Sequence, residues 1–370
     1  MGPSAVNEKE TTKLEEAKSE ETGTEEIETK EAGAEEAEEP RPAGEPEAEE
    51  PSTEGSEEAS SEERESEGEE PKEKKFRSGY VALIGLPNVG KSTLLNQLLG
   101  YKVAIATPKP QTTRFQVRGV LTGEDFQIVF VDTPGIHDAK GLFNKLMVEQ
   151  ALKAIEEVDA IVFIVDAANR HPQAEEKIIE ILRKANKPTI LALNKVDLIN
   201  KGELLPMIDY FSKVYPFKAI VPISALERDG LDILVKEIVE TLPEGPMYYD
   251  PDTLTDQPQR LLAAEIIREK IFMLTRQEIP YASAVVVEEF REDPERDIIY
   301  IQATVYVEKD SQKGIIIGKG GQMLKKVGTL AREELEFLFG KKVHLELWVK
   351  VLKGWRKEEK LLRRLGFPGV

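Results

Sequence analysis

Gly85-Leu86-Pro87-Asn88-Val89-Gly90-Lys91-Ser92 fits the pattern G-x-x-x-x-G-K-[ST], a glycine-rich loop whose backbone N–H groups can wrap phosphates. Residues 80–84 before it (Tyr-Val-Ala-Leu-Ile) read as a buried strand, and residues 92–99 after it read as a helix. The motif needs that strand–loop–helix context, because a helix N-terminus adds partial positive charge beneath a bound anion. Asn88, Val89, Gly90, Lys91, Ser92 and Thr93 are therefore the candidate phosphate cradle.

Outward from this loop, apolar strands alternate with amphipathic helices from residue 80 to about 242. That alternation predicts an α/β fold, a doubly wound and mostly parallel sheet. Candidate strands are 80–84, 119–121, 126–131, 160–165, 189–193 and 219–223. Four of them run directly into short polar motifs: GLPNVGKS, DTPG, NKVD and SAL. Ligands in open α/β sheets bind beyond the carboxyl ends of the strands, so the four motifs are expected to converge.

Each motif has a chemical reading. Lys91 should reach the β- and γ-phosphates, and the Ser92 hydroxyl should ligand Mg2+. Asp132, at the end of the β-rich run FQIVFV, suits a second-sphere metal carboxylate, and Gly135 would offer its N–H to a γ-phosphate. Asp197 in Asn194-Lys195-Val196-Asp197 selects the base. Its carboxylate can accept two parallel hydrogen bonds from the ring N–H and exocyclic amine of guanine. Adenine has neither donor there, and a site built for a polar partner rejects an analogue lacking it. Asn194 would hold the loops, the Lys195 stem would cover the ring face, and Ser224-Ala225-Leu226 would bring the Ala225 N–H to the guanine carbonyl. GTP, GDP and Mg2+ are the cofactors expected.

Residues 246–259 are rich in Pro, Asp and turn formers and separate a first domain, 76–245, from a second, 260–370. The second is a small α+β unit. Residues 260–275 have a helical pattern, 283–289 and 298–307 read as strands, and Gly318-Lys319-Gly320-Gly321 opens a helix to about 339. In the final strand Val343, Leu345, Leu347, Val349 and Val351 face the core while His344, Glu346, Trp348 and Lys350 face outward. Residues 313–370 carry 14 Lys or Arg against 6 Glu, an electrostatic footprint suited to a phosphate backbone.

The whole 370-residue chain has a net charge of −19, but its first 70 residues alone hold 27 Glu against 6 Lys or Arg. Residues 1–75 contain almost no large apolar side chain beyond Leu14 and Ile27, so they are expected to be disordered. The absence of Cys excludes disulfides and cysteine-based metal sites or nucleophiles. No apolar run of membrane-spanning length and no secretory signal are present.

From 79 to 367 the residues resemble a known group, the translation-factor-related bacterial GTPases of the Era family. The resemblance rests on GLPNVGKS, Lys109-Pro110-Gln111-Thr112-Thr113-Arg114, DTPG, NKVD, SAL and a second half that looks like a type II KH domain. It implies that 109–114 is the first switch loop, with Thr113 on Mg2+ and the γ-phosphate and Thr112 as the alternative. Ile136 stands where Ras-like proteins carry a catalytic glutamine. His137 is a weaker substitute base. The resemblance instead implies that Asn88 helps hold K+, making Lys91, Asn88, Thr113 and Gly135 the catalytic group. KH domains clamp about four single-stranded nucleotides on a G-x-x-G loop, which points to Ile317, Gly318, Lys319, Gly320, Gly321 and Lys325, with Ile315, Ile316 and Ile317 candidates for the apolar groove.

The implied function is a monomeric, cytoplasmic GTP-hydrolysing switch. Its implied ligand is the single-stranded 3′ end of 16S ribosomal RNA, and its implied role is assembly of the 30S ribosomal subunit. Two rival readings stay open: a signalling or membrane-cycling GTPase whose second domain binds protein or lipid, and an RNA-binding module with a structural GDP site. Trp355 with Arg356, Lys357, Arg363 and Arg364 offers a secondary, peripheral contact with the cytoplasmic face of the inner membrane. Base selection can be checked directly: Asp197→Asn should shift preference from GTP to xanthosine triphosphate in competition binding.

Overall fold

The computed structural model describes residues 75–137 and 141–367, so the acidic stretch expected to be disordered lies outside them apart from its last residue. The first domain is built from β1 (Arg77–Gly85), α1 (Lys91–Leu99), β2 (Val117–Thr122), β3 (Phe126–Asp132), α2 (Leu142–Glu157), β4 (Ala160–Asp166), α3 (Pro172–Ala185), β5 (Thr189–Asn194), α4 (Lys201–Val214), β6 (Ile220–Pro222) and α5 (Leu231–Thr241). Its sheet has the order β2-β3-β1-β4-β5-β6, parallel except for the antiparallel β2–β3 pair. Every residue of β4, Ala-Ile-Val-Phe-Ile-Val-Asp, is buried, as a strand covered by helices on both faces requires. α3 lays Ile178, Ile179 and Leu182 against the sheet, with Pro172 in its first turn and left-handed Asn186 ending it. Register pairs Leu83 with Asp132 and Asp166 with Asn194, which brings the polar strand ends to one edge of the sheet.

The Pro- and Asp-rich segment between the domains is a strap on the sheet rather than a free tether. Val120 donates its N–H to the Leu254 carbonyl at 2.9 Å, and Thr255 Oγ1 donates to the Arg118 carbonyl at 2.6 Å. Gln127 Oε1 accepts the backbone N–H groups of Tyr248 and Tyr249 at 2.7 and 3.0 Å. The strap meets edge strand β2, whose open hydrogen-bonding side would otherwise invite another chain.

The second domain runs α6 (Gln259–Leu274), α7 (Ile279–Ala282), β7 (Ala284–Asp293), β8 (Ile298–Val307), α8 (Asp310–Ile317), α9 (Gln322–Phe339), β9 (Lys342–Val351) and α10 (Glu359–Arg364). β8 is central, antiparallel to β7 and parallel to β9. With α6 and the short α7 before the first strand and β9 parallel to the central β8, this is a type II KH arrangement. Helix α8 did not emerge from the sequence, because Gly314 and three successive isoleucines carry little helical signal.

Helix α6 departs most from its expected amphipathic form: all residues from Leu262 to Phe272 are buried, Glu265, Arg268, Glu269 and Lys270 included. Its apolar side joins Ile299, Ile301, Val305, Val327 and Leu335 in the core of the second domain. Ile105 of the first domain belongs to that same cluster. A separate apolar cluster joins Phe143 and Met147 of α2 to Trp355, Leu362, Leu365 and Phe367. Trp355 is fully buried, edge-on to Phe143 at 5.4 Å and stacked on Phe367 at 5.8 Å. The indole is therefore unavailable to a membrane surface, against the secondary reading above. Among the described residues no helix is long and apolar enough to cross a membrane.

Candidate nucleotide site and nucleic-acid interface

A cavity of about 500 Å3 opens at the carboxyl ends of β1 and β3. Asn88, Gly90, Lys91, Ser92, Thr93, Thr113, Gly135, Lys195 and Leu226 all line it, so four sequence-distant motifs meet at one place. Val89, Asp132, Asn194, Ser224 and Ala225 are buried and stand outside that lining, while Asp197 is exposed on the short 3-10 turn Val196–Leu198.

Asn194 ties the motifs together. Its Nδ2 donates to the Val89 carbonyl at 2.7 Å, and its Oδ1 accepts the Ala225 N–H at 2.9 Å. A Cβ on Gly90 would lie 2.3 Å from Asn194 Nδ2, and Gly90 has φ of 101°, so glycine is required twice over. The Ala225 N–H, expected to face the guanine carbonyl, is thus engaged by Asn194 here. Ser224 Oγ likewise serves its own loop, accepting the Glu227 N–H at 3.2 Å. Lys195 donates to the Asn88 carbonyl at 2.9 Å and to Asp166 Oδ2 at 2.5 Å. Asp166 belongs to the site and escaped notice in the sequence, where it is one more acidic residue after a strand.

Ser92, Thr113 and Asp132 converge from three elements. Ser92 Oγ donates to Asp132 Oδ2 at 2.6 Å, Thr113 Oγ1 donates to the same oxygen at 3.2 Å, and the hydroxyls lie 2.8 Å apart. Asp132 Oδ1 is buried without a hydrogen-bond partner. Hard oxygen donors around one carboxylate fit Mg2+, which takes one or two carboxylates and leaves its remaining positions to water and phosphate. The Thr112 hydroxyl turns instead to the Lys109 carbonyl at 2.8 Å. Burial pushes the Asp132 carboxyl up, against the pull of Lys91. Burial also pushes the Lys91 ammonium down to about 8, with Asp132 opposing. Lys91 Nζ donates to the Leu86 carbonyl at 2.9 Å and to that of Gly85 at 3.3 Å.

Around the expected attacking water the side chains are spare. Ile136 is buried and donates its N–H to the Gly85 carbonyl at 3.1 Å. His137 Nδ1 meets the Gly135 carbonyl at 2.8 Å and its Nε2 meets Gln111 Nε2 at 3.1 Å. In the tautomer these contacts favour, the Nε2 lone pair accepts from the Gln111 amide, which leaves His137 poorly placed as a base. Asn88, in a left-handed conformation with φ of 66°, donates Nδ2 to the Pro108 carbonyl at 2.9 Å, leaving Oδ1 as an acceptor.

In the second domain Gly318, Gly320 and Gly321 have φ of 73°, 59° and 78°, and Lys319 projects from an exposed turn between α8 and α9. A groove of about 350 Å3 beside it is lined by Gly321, Leu324, Lys325, Gly328, Thr329, Arg332, Leu345 and Leu347. The apolar floor of this groove is Leu324, Leu345 and Leu347. Ile316 is buried in the core, Ile315 is exposed and Ile317 packs at the core margin. Gly321, Lys325, Gly328 and Arg332 recur at near-helical spacing, a signal that could have located the groove in the sequence.

The fold and site together define a phosphate-loop GTPase joined to a KH domain. Residues 80–195 match the family model described as 50S ribosome-binding GTPase, and 278–356 match the KH domain model. GTPase Era of Geobacter metallireducens is 52% identical over 295 residues, covering 80% of this chain and 99% of that protein. GTPase Era of Ruminiclostridium cellulolyticum is 50% identical over 293 residues, covering 79% and 98%. A crystal structure of an Aquifex aeolicus Era variant bound to GDP and AlF4− superposes with a TM-score of 0.76 at 45% identity, covering 79% of this chain and 99% of that one. A structure of Era with MgGDPNP and nucleotides 1506–1542 of 16S ribosomal RNA gives 0.76 at 46% identity and the same coverage. The chain belongs to the Era family of GTPases.

The depressed Lys91 ammonium makes a thermodynamic prediction. A bound triphosphate favours the charged amine and raises its pKa, so above about 8 the complex holds more protons than the free protein. Calorimetry at about pH 8.5 in buffers of different ionisation enthalpy should show proton uptake on GTP binding. The uptake should vanish near about pH 6.5, and affinity should fall as pH rises above the Lys91 pKa.

Proposed function

We propose that this chain is a GTP-hydrolysing switch, residues 76–245, strapped by 246–259 to an RNA-binding domain, residues 260–370. Its proposed ligand is the single-stranded 3′ end of 16S ribosomal RNA, its proposed setting the cytoplasm, and its proposed task assembly of the 30S subunit. The observation that carries the reading is the meeting of Ser92, Thr113 and Asp132 beside Lys91, in a chain whose second domain presents a glycine-loop groove. The relative solved with MgGDPNP and a 16S segment supports the same ligands.

In this reading the phosphate-loop N–H groups from Asn88 to Thr93 and the Lys91 ammonium hold the phosphates. Asn194 fixes the base loop to the phosphate loop, Lys195 covers the ring face, and Asp197 reads guanine from the rim. Leu226 closes the apolar side of the base, while Ser224 and Ala225 shape that loop. Ser92 and Thr113 would hold Mg2+ with Asp132 behind them; the ion supplies charge neutralisation on the phosphates. Gly135 offers its N–H to the γ-phosphate, and a Cβ there would lie 2.7 Å from the Pro87 nitrogen, so no larger residue can come so close. Among the described residues no side chain is well placed to take the proton of the attacking water. Hydrolysis then rests on fixed dipoles and charge, with the Asn88 amide oxygen as the ligand for K+.

Two experiments test this. Hydrolysis should run several-fold faster in potassium than in sodium buffer, and Asn88→Ala should remove the difference; equal rates in both salts would count against Asn88. Filter binding of a 16S 3′-end oligonucleotide should weaken steeply with salt. It should depend on GTP analogue versus GDP, and be lost when Lys319→Asp and Gly320→Asp are combined in a chain that still binds guanine nucleotide. RNA retention indifferent to the bound nucleotide would remove the switch.

A further inference from the structure

We infer that Arg268, on α6 of the second domain, is a positioning residue for Thr113 of the first, acting through the backbone carbonyl of Thr112. The inference rests on the reading of Thr113 as a ligand of Mg2+. Arg268 is 1% exposed, and its Nη2 donates both to the Thr112 carbonyl and to Glu265 Oε2. Its Nε donates to Glu265 Oε1 at 2.7 Å, completing a two-pronged pair, and the guanidinium lies 5.1 Å from the Phe272 ring centroid. A guanidinium held bidentately by a buried carboxylate has essentially one orientation. The carbonyl it grips is therefore held at one place.

The peptide on the other side of Thr113 is pinned by the same domain. Arg114, 2% exposed, donates Nη1 to the Ser283 carbonyl at 2.6 Å and Nη2 to the Pro280 and Tyr281 carbonyls at 3.2 Å each. Upstream, Lys109 Nζ donates to the Thr275 carbonyl at 2.5 Å and to that of Phe272. Because the Thr112 side chain turns back into its own loop, its carbonyl is the handle by which α6 holds this segment. The Thr113 hydroxyl, 2.8 Å from Ser92 Oγ and 3.2 Å from Asp132 Oδ2, thus owes its place to contacts from 265 to 283.

This grip is unusual for a merely structural pair. Arg268 Nη1 and Arg114 Nε are buried donors without hydrogen-bond partners, and the two guanidinium groups repel each other. A core built for stability alone would satisfy or omit such groups. Two cations held together with unused donors suit a contact that must form and release with the state of the loop it grips.

The test compares full-length Arg268→Gln, Arg268→Lys and Thr113→Ala with the parent chain. Affinity for a non-hydrolysable GTP analogue and for GDP is measured across a magnesium titration. Arg268→Gln should weaken the analogue by about tenfold and raise its half-saturating magnesium concentration similarly, the scale of one charge-assisted hydrogen bond, while GDP affinity changes less than about twofold. Arg268→Lys, which keeps the charge but not the fork, should recover part of the loss. A structural role would lower both nucleotides equally, and that result overturns the inference. If Arg268→Gln fails to fold, Arg268→Lys decides: a raised magnesium requirement supports the inference, and a parental one overturns it. If Thr113→Ala raises the requirement while the Arg268 variants do not, the positioning role alone fails. If Thr113→Ala is also silent, the assignment of Thr113 has failed first.

Discussion

The interaction on which this structure depends is the burial of the charged side of α6 against the loop that follows α1. Glu265, Arg268, Glu269 and Lys270 are each less than a tenth exposed, yet they sit on a helix whose other side already fills the core of the second domain. Desolvating such groups costs several kcal/mol per ion unless partners compensate. Some partners lie within the domain, Glu265 with Arg268 and Lys270 with Glu269 and Glu334; the rest come from the other domain. Lys102 donates to Glu269 at 2.7 Å and to Glu334, the Ala106 N–H reaches Glu269 at 3.3 Å, and Arg268 grips Thr112. Ile105, inserted into the core of the second domain, adds apolar area to the same contact. Domain separation would strip Glu269 of Lys102 and the Ala106 N–H, and Arg268 of the Thr112 carbonyl, so part of the compensation depends on this contact.

Under the proposed function that contact falls on the first switch loop, and this has a consequence. A GTPase reports its nucleotide through segments that the γ-phosphate holds and its loss releases. Here the segment from Val103 to Arg114 touches the nucleotide cavity on one side and α6 and α7 on the other. Glu334 of α9 accepts from Lys102 and Lys270, so the helix that lines the groove beside the glycine loop joins the same array. A second path runs from α2, just past the described part of the DTPG loop, into Trp355 and Phe367. Both regions that flank the γ-phosphate position are thus packed against the RNA-binding half.

Much of the fold and the cavity was legible in the sequence because the relevant constraints are local. Strand β4 and its neighbours announce themselves as apolar runs; helix α3 shows its buried stripe; Gly90 is demanded by a backbone angle and a close neighbour; the strand-end motifs carry their chemistry with them. The misreadings share a cause. Chemical type and neighbourhood make Ile316 and Trp355 candidates for binding surfaces, and both are core residues. Leu345 and Leu347 alternate correctly on β9, yet the alternation could not tell that part of that face is left open beside Gly328 as a groove.

By itself, then, the sequence determined that a phosphate-binding loop opens a parallel sheet, that guanine is the base, and that a basic glycine-loop domain follows. Each of these follows from residue type, short spacing or period, quantities a linear chain displays. Only the tertiary structure decided that Ser92, Thr113 and Asp132 share one point, that Asp166 braces Lys195, and that Arg268 and Arg114 hold the two sides of Thr113. The reason is physical. A buried charge is tolerable only where its partners are, and the cross-domain partners of Arg268 and Glu269 lie more than a hundred residues away along the chain, a pairing that no local pattern encodes.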